Sequence, residues 1–257
     1  MNKFYLGTHR VKHMEMTNVP LFISRRLLEN RKTPVKSKGE WALDSGGFTE
    51  LSMYGRWTID AQEYISQLAK INETPNLSWA AQQDWMCEDL MIQKTGLNVK
   101  EHIRRTVQNF KDLQYHNTTD VHIIPVLQGK SLDDYIHCYE LFEANDVYLP
   151  NEKLVGLGSV CRRQNLNEIE KIVSYFHSKD LKLHGFGVKT LGLKKYGEML
   201  ESSDSMAWSF GARRKNLKCK IFENYSQCPK PNAKVQDCRN CLGYAIEWRS
   251  KVMRYVI

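Results

Sequence analysis

Apolar positions along this chain fall in short runs separated by longer amphipathic stretches. The runs at residues 4–7, 21–24, 41–43, 79–82, 121–127, 154–158, 183–186 and 206–209 have strand length, and each predicts a β-strand. Most of the intervening segments carry helical spacing. Residues 60–69 open on Asp60, a suitable N-cap, and residues 99–113 place Ile103, Val107 and Phe110 on one face. Residues 132–142, 166–177 and 193–200 continue the alternation. Strand and helix in turn imply a parallel sheet. Eight strands in 257 residues predict an α/β fold, a (β/α)8 TIM-like barrel, with an open doubly wound sheet as the alternative. No internal repeat, low-complexity tract or Pro/Gly-rich linker interrupts the pattern.

Asp44, Asp84, Gln128, Gly158 and Asp204 all fall at or near the carboxyl ends of predicted strands. In a barrel those ends form the catalytic face. The segment Ala42-Leu43-Asp44-Ser45-Gly46-Gly47-Phe48 says most about that face. An acid leaving a buried strand meets two glycines, which let backbone approach a ligand closely.

Composition narrows the partners. A net charge of +8 and a pI near 9.0 favour a polyanion, and nucleic acid in particular. The first residues hold no apolar run of signal-peptide length, and no stretch approaches the roughly 20 apolar residues of a membrane span. The expectation is a soluble cytoplasmic protein without membrane contact, in the host cytoplasm if the chain is phage-encoded. Cys219, Cys228, Cys238 and Cys241 crowd together near the C-terminus, which without a secretory signal favours metal over disulfides. The Cys238-Arg239-Asn240-Cys241 turn suits half of a tetrahedral zinc site. Residues 1–214 then form the barrel. Residues 215–257 form a small C-terminal zinc-binding lobe whose final amphipathic helix packs on it.

A second acid lies in Asp204-Ser205-Met206-Ala207-Trp208-Ser209-Phe210-Gly211-Ala212-Arg213-Arg214, upstream of the cysteines. Together with Leu43-Asp44-Ser45-Gly46-Gly47-Phe48, this ordered set resembles the tRNA-guanine transglycosylase superfamily. It is closest to the DNA branch of that superfamily, the DeoxyPurine in DNA protein A family. The likeness extends from Pro20 through Arg249, and its specificity comes from the combined order of motifs. The Pro-Thr-Arg of the tRNA enzymes is missing after Asp204, and the chain is much shorter than theirs. Both departures favour the DNA branch.

The resemblance implies roles. Asp204 matches the nucleophile, which traps the sugar cation left by the departing base as a covalent intermediate. Asp44 matches the general acid/base, which moves protons onto and off the bases. Asp84 matches the acid that pairs with the amino and ring nitrogens of guanine, and Gln128 the glutamine that reads its carbonyl side. Gly156 matches a position offering a backbone amide. Phe48 and His184 match the stacking positions, although the tRNA enzymes use a thioether where this chain has His184. Ser45 is placed to hydrogen-bond either the base or the carboxylate. Superfamily metal sites generally combine three cysteines with a histidine. No histidine follows His184 here, so Cys219 is expected as the fourth ligand beside Cys228, Cys238 and Cys241. Arg162, Arg163, Arg213 and Arg214 flank predicted active-face loops, where they would hold DNA phosphates.

The resulting expectation is a zinc-containing transglycosylase that exchanges guanine in DNA for a free 7-deazaguanine base. The target nucleotide is either flipped out of a duplex or presented on a single strand. Zn2+ is structural, and no redox or nucleotide cofactor is suggested. The choice of deazapurine, the DNA sequence context, the oligomeric state and any partner protein stay open. The rivals are the same chemistry on tRNA and a non-catalytic zinc-dependent nucleic-acid-binding module.

Overall fold

The computed structural model describes residues 1–161, 165–214 and 238–254. Its strands are β1 (Lys3–Thr8), β2 (Leu21–Ser24), β3 (Trp41–Asp44), β4 (Leu77–Ala81), β5 (Ile123–Ile124), β6 (Val126–Leu127), β7 (Val155–Leu157), β8 (Leu183–Gly185) and β9 (Ser202–Ser205). Its α-helices are α1 (Gly47–Tyr54), α2 (Ala61–Ile71), α3 (Asp89–Thr95), α4 (Val99–His116), α5 (Leu132–Glu143), α6 (Leu166–His177), α7 (Thr190–Tyr196), α8 (Ala207–Arg214) and α9 (Leu242–Met253). Among the described residues, no helix is long and apolar enough to cross a membrane.

Every strand pairing is parallel, and the sheet runs β5-β4-β3-β2-β1-β9-β8-β7-β6. Its two end strands, β5 and β6, are separated in the chain only by Pro125. They are the halves of one extended run, so the sheet curls into a nearly closed TIM-like barrel with eight strand positions. Proline has no N–H to give a ladder. Beside it the Val126 N–H donates instead to Gln82 Oε1 at 3.0 Å. The Pro125 carbonyl still accepts from the Gly156 N–H at 2.8 Å.

The strands alternate in the manner of a barrel. Phe4, Leu6, Ile23, Leu43 and Ala80 join the large core beneath the helices, whereas Tyr5, Phe22, Ala42, Trp79 and Ala81 form a second cluster. The helices lie where amphipathic spacing predicts them. The Asp60 side chain caps α2 by accepting the Glu63 N–H at 2.8 Å. Asn98, Ser131 and Asn165 cap α4, α5 and α6 in the same way.

The strand expected at residues 206–209 lies instead at Ser202–Ser205, and Ala207 already opens α8. All four residues of this polar strand are buried. They tolerate burial because their polar atoms are partnered. Ser203 Oγ donates to the Gly185 carbonyl at 2.7 Å, and Ser202 Oγ lies 2.8 Å from His184 Nδ1. The Gly46-Gly47 pair begins α1, with Gly46 as its left-handed N-cap (φ +82°). A side chain at Gly46 would also press on Arg26.

At the C-terminus α9 returns to the barrel. Arg249 Nε donates to the Phe4 carbonyl at 2.9 Å, and the Trp248 ring lies 6.1 Å from that of Phe4. Among the described residues, no group of three or more potential metal ligands comes together. Two of the four expected zinc ligands, Cys219 and Cys228, lie outside the described residues, as do Arg162 and Arg163.

Candidate active site

The carboxyl ends of the strands surround a cavity of about 530 Å³. Asp44 enters it from the end of β3, Asp84 from the loop after β4, and Asp204 from β9. Ser45 and Phe48 line it, together with Ser24, Gly158, Ser159 and Gly187. Phe22, Phe186 and Met206 supply apolar wall, and Phe48 is 39% exposed at the rim. The cavity thus joins three carboxylates to aromatic surface, a combination suited to a flat, polar-edged ligand.

Asp204 is buried and held on one side. Its Oδ1 accepts the Gly187 N–H at 2.8 Å and lies 3.5 Å from His184 Nε2. Gly187 has a left-handed backbone (φ +59°), which glycine adopts without strain. Both contacts fall on Oδ1, on one side of the carboxylate.

Asp44 receives a hydrogen bond from Ser24, but burial and the neighbouring Asp204 charge raise its pKa to about 6. Burial is also the main reason that the Asp84 pKa rises to about 7, with Asp44 and Glu88 adding repulsion. Gln128, fully buried, donates from Nε2 to Asp84 Oδ2 and accepts the Ser159 hydroxyl at Oε1.

Gln128, Gly156 and His184 are not among the residues that line the cavity. His184 is fully buried below the cavity, edge-on to Trp79 and Phe186 with ring centroids 4.7 Å away in each case. Gly156 lies in β7 with its N–H engaged by Pro125. Phe22, Phe186, Ser24 and Ser159 line the cavity without having been singled out in the sequence. Phe186 lies two residues after His184, just past the end of β8, so extending the strand alternation by one residue could have found it.

The loop after Asp44 rests on a buried ion cluster. Arg25 Nε donates to the Ser45 carbonyl at 3.0 Å, and its guanidinium meets Glu50 at 2.8 Å and Glu29 at 2.6 Å. Glu50 also pairs with Arg26 at 2.8 Å and accepts from the Thr58 N–H and hydroxyl. Burial works to raise the Glu50 pKa, but the Thr58 hydrogen bonds and the two arginines hold it below the usual carboxylate range.

The cysteine turn lies against α8 and the loop after β1. His9, at the cavity rim, has Nε2 2.6 Å from Asn240 Oδ1, and Ser209 Oγ donates to the Arg239 carbonyl at 2.8 Å. Cys238 is buried, and Cys241 Sγ accepts the Tyr244 N–H at 3.5 Å as the N-cap of α9. A sulfur that accepts a backbone N–H beside a second sulfur on one tight turn fits half of a thiolate metal site. Arg213 and Arg214 are exposed in the last turn of α8.

The raised carboxyl pKa values make stability depend on pH. An unfolded Asp titrates near 3.9. Between about pH 4 and 7 Asp44 and Asp84 therefore hold more protons in the folded chain than in the unfolded one, and the contribution of these two groups to stability falls as pH rises through that window. Asp84→Asn removes one of these ionisations. Its Tm is expected to exceed that of wild type by several degrees at pH 8, at about 2–4 °C for each kcal/mol, and to converge with it near pH 4. Calorimetry at both pH values checks this, and a gap independent of pH would contradict it.

The profile of the family described as DeoxyPurine in DNA protein A matches residues 1–256. No curated protein matches the chain. Two crystal structures of a "putative isomerase" from Sinorhizobium meliloti, one in an open-loop conformation, each match at 9% identity with a TM-score of 0.42. Each alignment covers 79% of this chain and 50% of that one, so the chain spans half the length of those proteins.

Proposed function

The chain belongs to the DeoxyPurine in DNA protein A family, and from that premise we propose that it is a DNA-guanine transglycosylase that replaces guanine with a 7-deazaguanine base through a covalent aspartyl-sugar intermediate. The observation that carries the reading is the convergence of Asp44, Asp84 and Asp204 on one cavity at the carboxyl ends of the strands. Three carboxylates on one apolar-walled site would repel each other without a cationic or proton-rich ligand, and such repulsion is characteristic of acid–base sites.

In this mechanism Asp84, braced from behind by Gln128, holds the polar edge of the base. Asp204 Oδ2 bonds to the sugar carbon C1′ as its bond to guanine N9 breaks, and Oδ1 keeps its contact with the Gly187 amide. Asp44, whose pKa is raised to about 6, is protonated often enough to give its proton to the leaving guanine. The incoming 7-deazaguanine then loses its ring N–H proton to Asp44 as that nitrogen attacks C1′ and releases Asp204. Each proton and bonding pair is returned, so no redox partner is required.

Mass spectrometry of nucleosides from the DNA of cells expressing the chain with a deazaguanine supply tests the reading. A deazaguanosine in DNA is the expected result. Labelled base appearing only in tRNA when duplex DNA and tRNA compete would transfer the chemistry to RNA. DNA binding that survives loss of both Asp44 and Asp204, without any base exchange by wild type, would leave a binding module.

Cys238 and Cys241 would hold one structural Zn2+ with Cys219 and Cys228. Zinc held by these thiolates would be structural, tying the turn before the last helix in place, with no part in the chemistry. Cys238→Ser or Cys241→Ser is expected to lose zinc and aggregate, because zinc binding energy becomes folding energy. Elemental analysis finding no zinc in soluble, active wild type would end the claim.

Arg213 and Arg214 would meet phosphates flanking the target. Their double replacement by alanine is expected to weaken DNA binding, flatten its salt slope by about one to two units, and spare the rate at saturating DNA. An unchanged slope would assign them elsewhere.

A further inference from the structure

The helix that follows Asp204 has two unlike faces. Trp208, Ser209 and Ala212 of α8 are buried. Trp208 Nε1 donates to the Gly7 carbonyl at 2.8 Å, and the Ser209 hydroxyl is engaged by the cysteine turn. The opposite face starts at Met206, whose carbonyl accepts the Ser209 N–H at 3.1 Å. A side chain at Gly7 would press on Met206, so the glycine lets this thioether sit in the cavity wall. Residues three and four apart share a helix face. From Met206 that face runs to Phe210 and then to Arg213 and Arg214, and all four are exposed.

A lone exposed apolar side chain is ordinary. Here two are neighbours, Met206 at 44% and Phe210 at 59% exposure. They lead from the carboxylate cavity at one end to two guanidinium groups at the other. At Gly211 a Cβ would meet no described atom within 4 Å, so a ligand can come close to the helix backbone beside Phe210. This order suits a nucleic acid. A nucleotide whose base enters the cavity leaves an empty place in its stack, and the adjoining base loses a partner. A phenyl ring one helical turn, about 5.4 Å, beyond Met206 can supply the missing face. Guanidinium groups one turn further out meet phosphates. An apolar protein surface would instead leave both arginines desolvated and unpaired.

Resting on the functional reading above, we propose that this face of α8 docks duplex DNA and that Phe210 inserts into the stack in place of the extruded guanine. The ring opposes return of the target nucleotide to the duplex. It thereby raises the fraction of bound DNA that presents its sugar to Asp204. Phe210 is uncharged, so its contribution separates from that of the arginines.

The test follows exchange of labelled guanine into a linear plasmid duplex and into the same DNA after heat denaturation. Guanine is the probe because a site that expels it also admits its return. Phe210→Ala is expected to lower kcat/KM on the duplex by about tenfold or more. The loss on denatured DNA should be several-fold smaller, because no base pair has to be broken there. Phe210→Trp keeps an aromatic face and should retain most of the duplex activity. Both variants should keep a Tm near wild type, since the ring is largely exposed. The KM for free guanine and the salt slope of DNA binding should also stay unchanged, because no charge is removed. Equal losses on the two DNAs, or no loss on either, would overturn the role of Phe210. Wild type active only on denatured DNA would overturn insertion into a duplex and leave the functional reading standing. Wild type that exchanges guanine into neither DNA overturns the functional reading itself, and this inference with it.

Discussion

Asp204→Asn is expected to lower base exchange by at least about 10⁴-fold, the scale seen when a covalent nucleophile is removed, with Tm and DNA affinity near wild type. The carboxamide keeps the volume of Asp204 and can retain the contact with the Gly187 N–H through its carbonyl oxygen. It lacks the anionic second oxygen that would bond to C1′. Wild type incubated with DNA should yield a trapped protein–DNA adduct, and the variant none. Asp44→Asn separates the two roles. It leaves Asp204 able to attack and removes the proton carrier, so turnover should fall by about 10²–10⁴-fold while slow adduct formation persists. An active Asp204→Asn enzyme would remove the nucleophile assignment. Wild-type turnover in Asp44→Asn would make that residue a loop acid.

The largest effect on stability should come from a residue outside the cavity. Glu50→Gln is expected to destabilise the protein by about 3 kcal/mol, which lowers Tm by roughly 6–12 °C for a domain of this size. Glu50 is fully buried and Arg25 nearly so, at 0% and 1% exposure. Removing the negative partner strands a buried guanidinium, and the bonds from Thr58 lose their charge-assisted acceptor. Glu29, the other partner of Arg25, reaches solvent, so Glu29→Gln should lose only about 1 kcal/mol. Because Arg25 also holds the Ser45 carbonyl, exchange should weaken in Glu50→Gln even below its melting range. Thermal melts of the two variants decide the matter. Equal, small losses would mean that the charge of Arg25 is satisfied without Glu50.

Much of the scaffold was legible in the residue order. Strand-length apolar runs at residues 4–7, 21–24, 41–43 and 183–186 each lie within or overlap β1, β2, β3 and β8, and Asp60 caps the helix expected after it. The acids at residues 44 and 84 fall at strand ends because hydrophobic periodicity is local, and the point where it stops marks where a strand leaves the core. The same local logic missed β9. Ser202-Ser203-Asp204-Ser205 has no apolar signal, and only its pairing between β1 and β8, with partners for its hydroxyls, makes it a buried strand.

By itself, then, the sequence determined the alternation that builds a parallel barrel, the placement of Asp44 and Asp84 on its carboxyl rim, and the family. Only the tertiary structure decided that His184 lies beside Asp204, that Glu50 neutralises Arg25, and that Ser159 orients Gln128. Those pairs lie 20, 25 and 31 residues apart in the chain. Strand register and barrel curvature bring them within hydrogen-bond or near-contact range, and neither is written in the periodicity of any one segment.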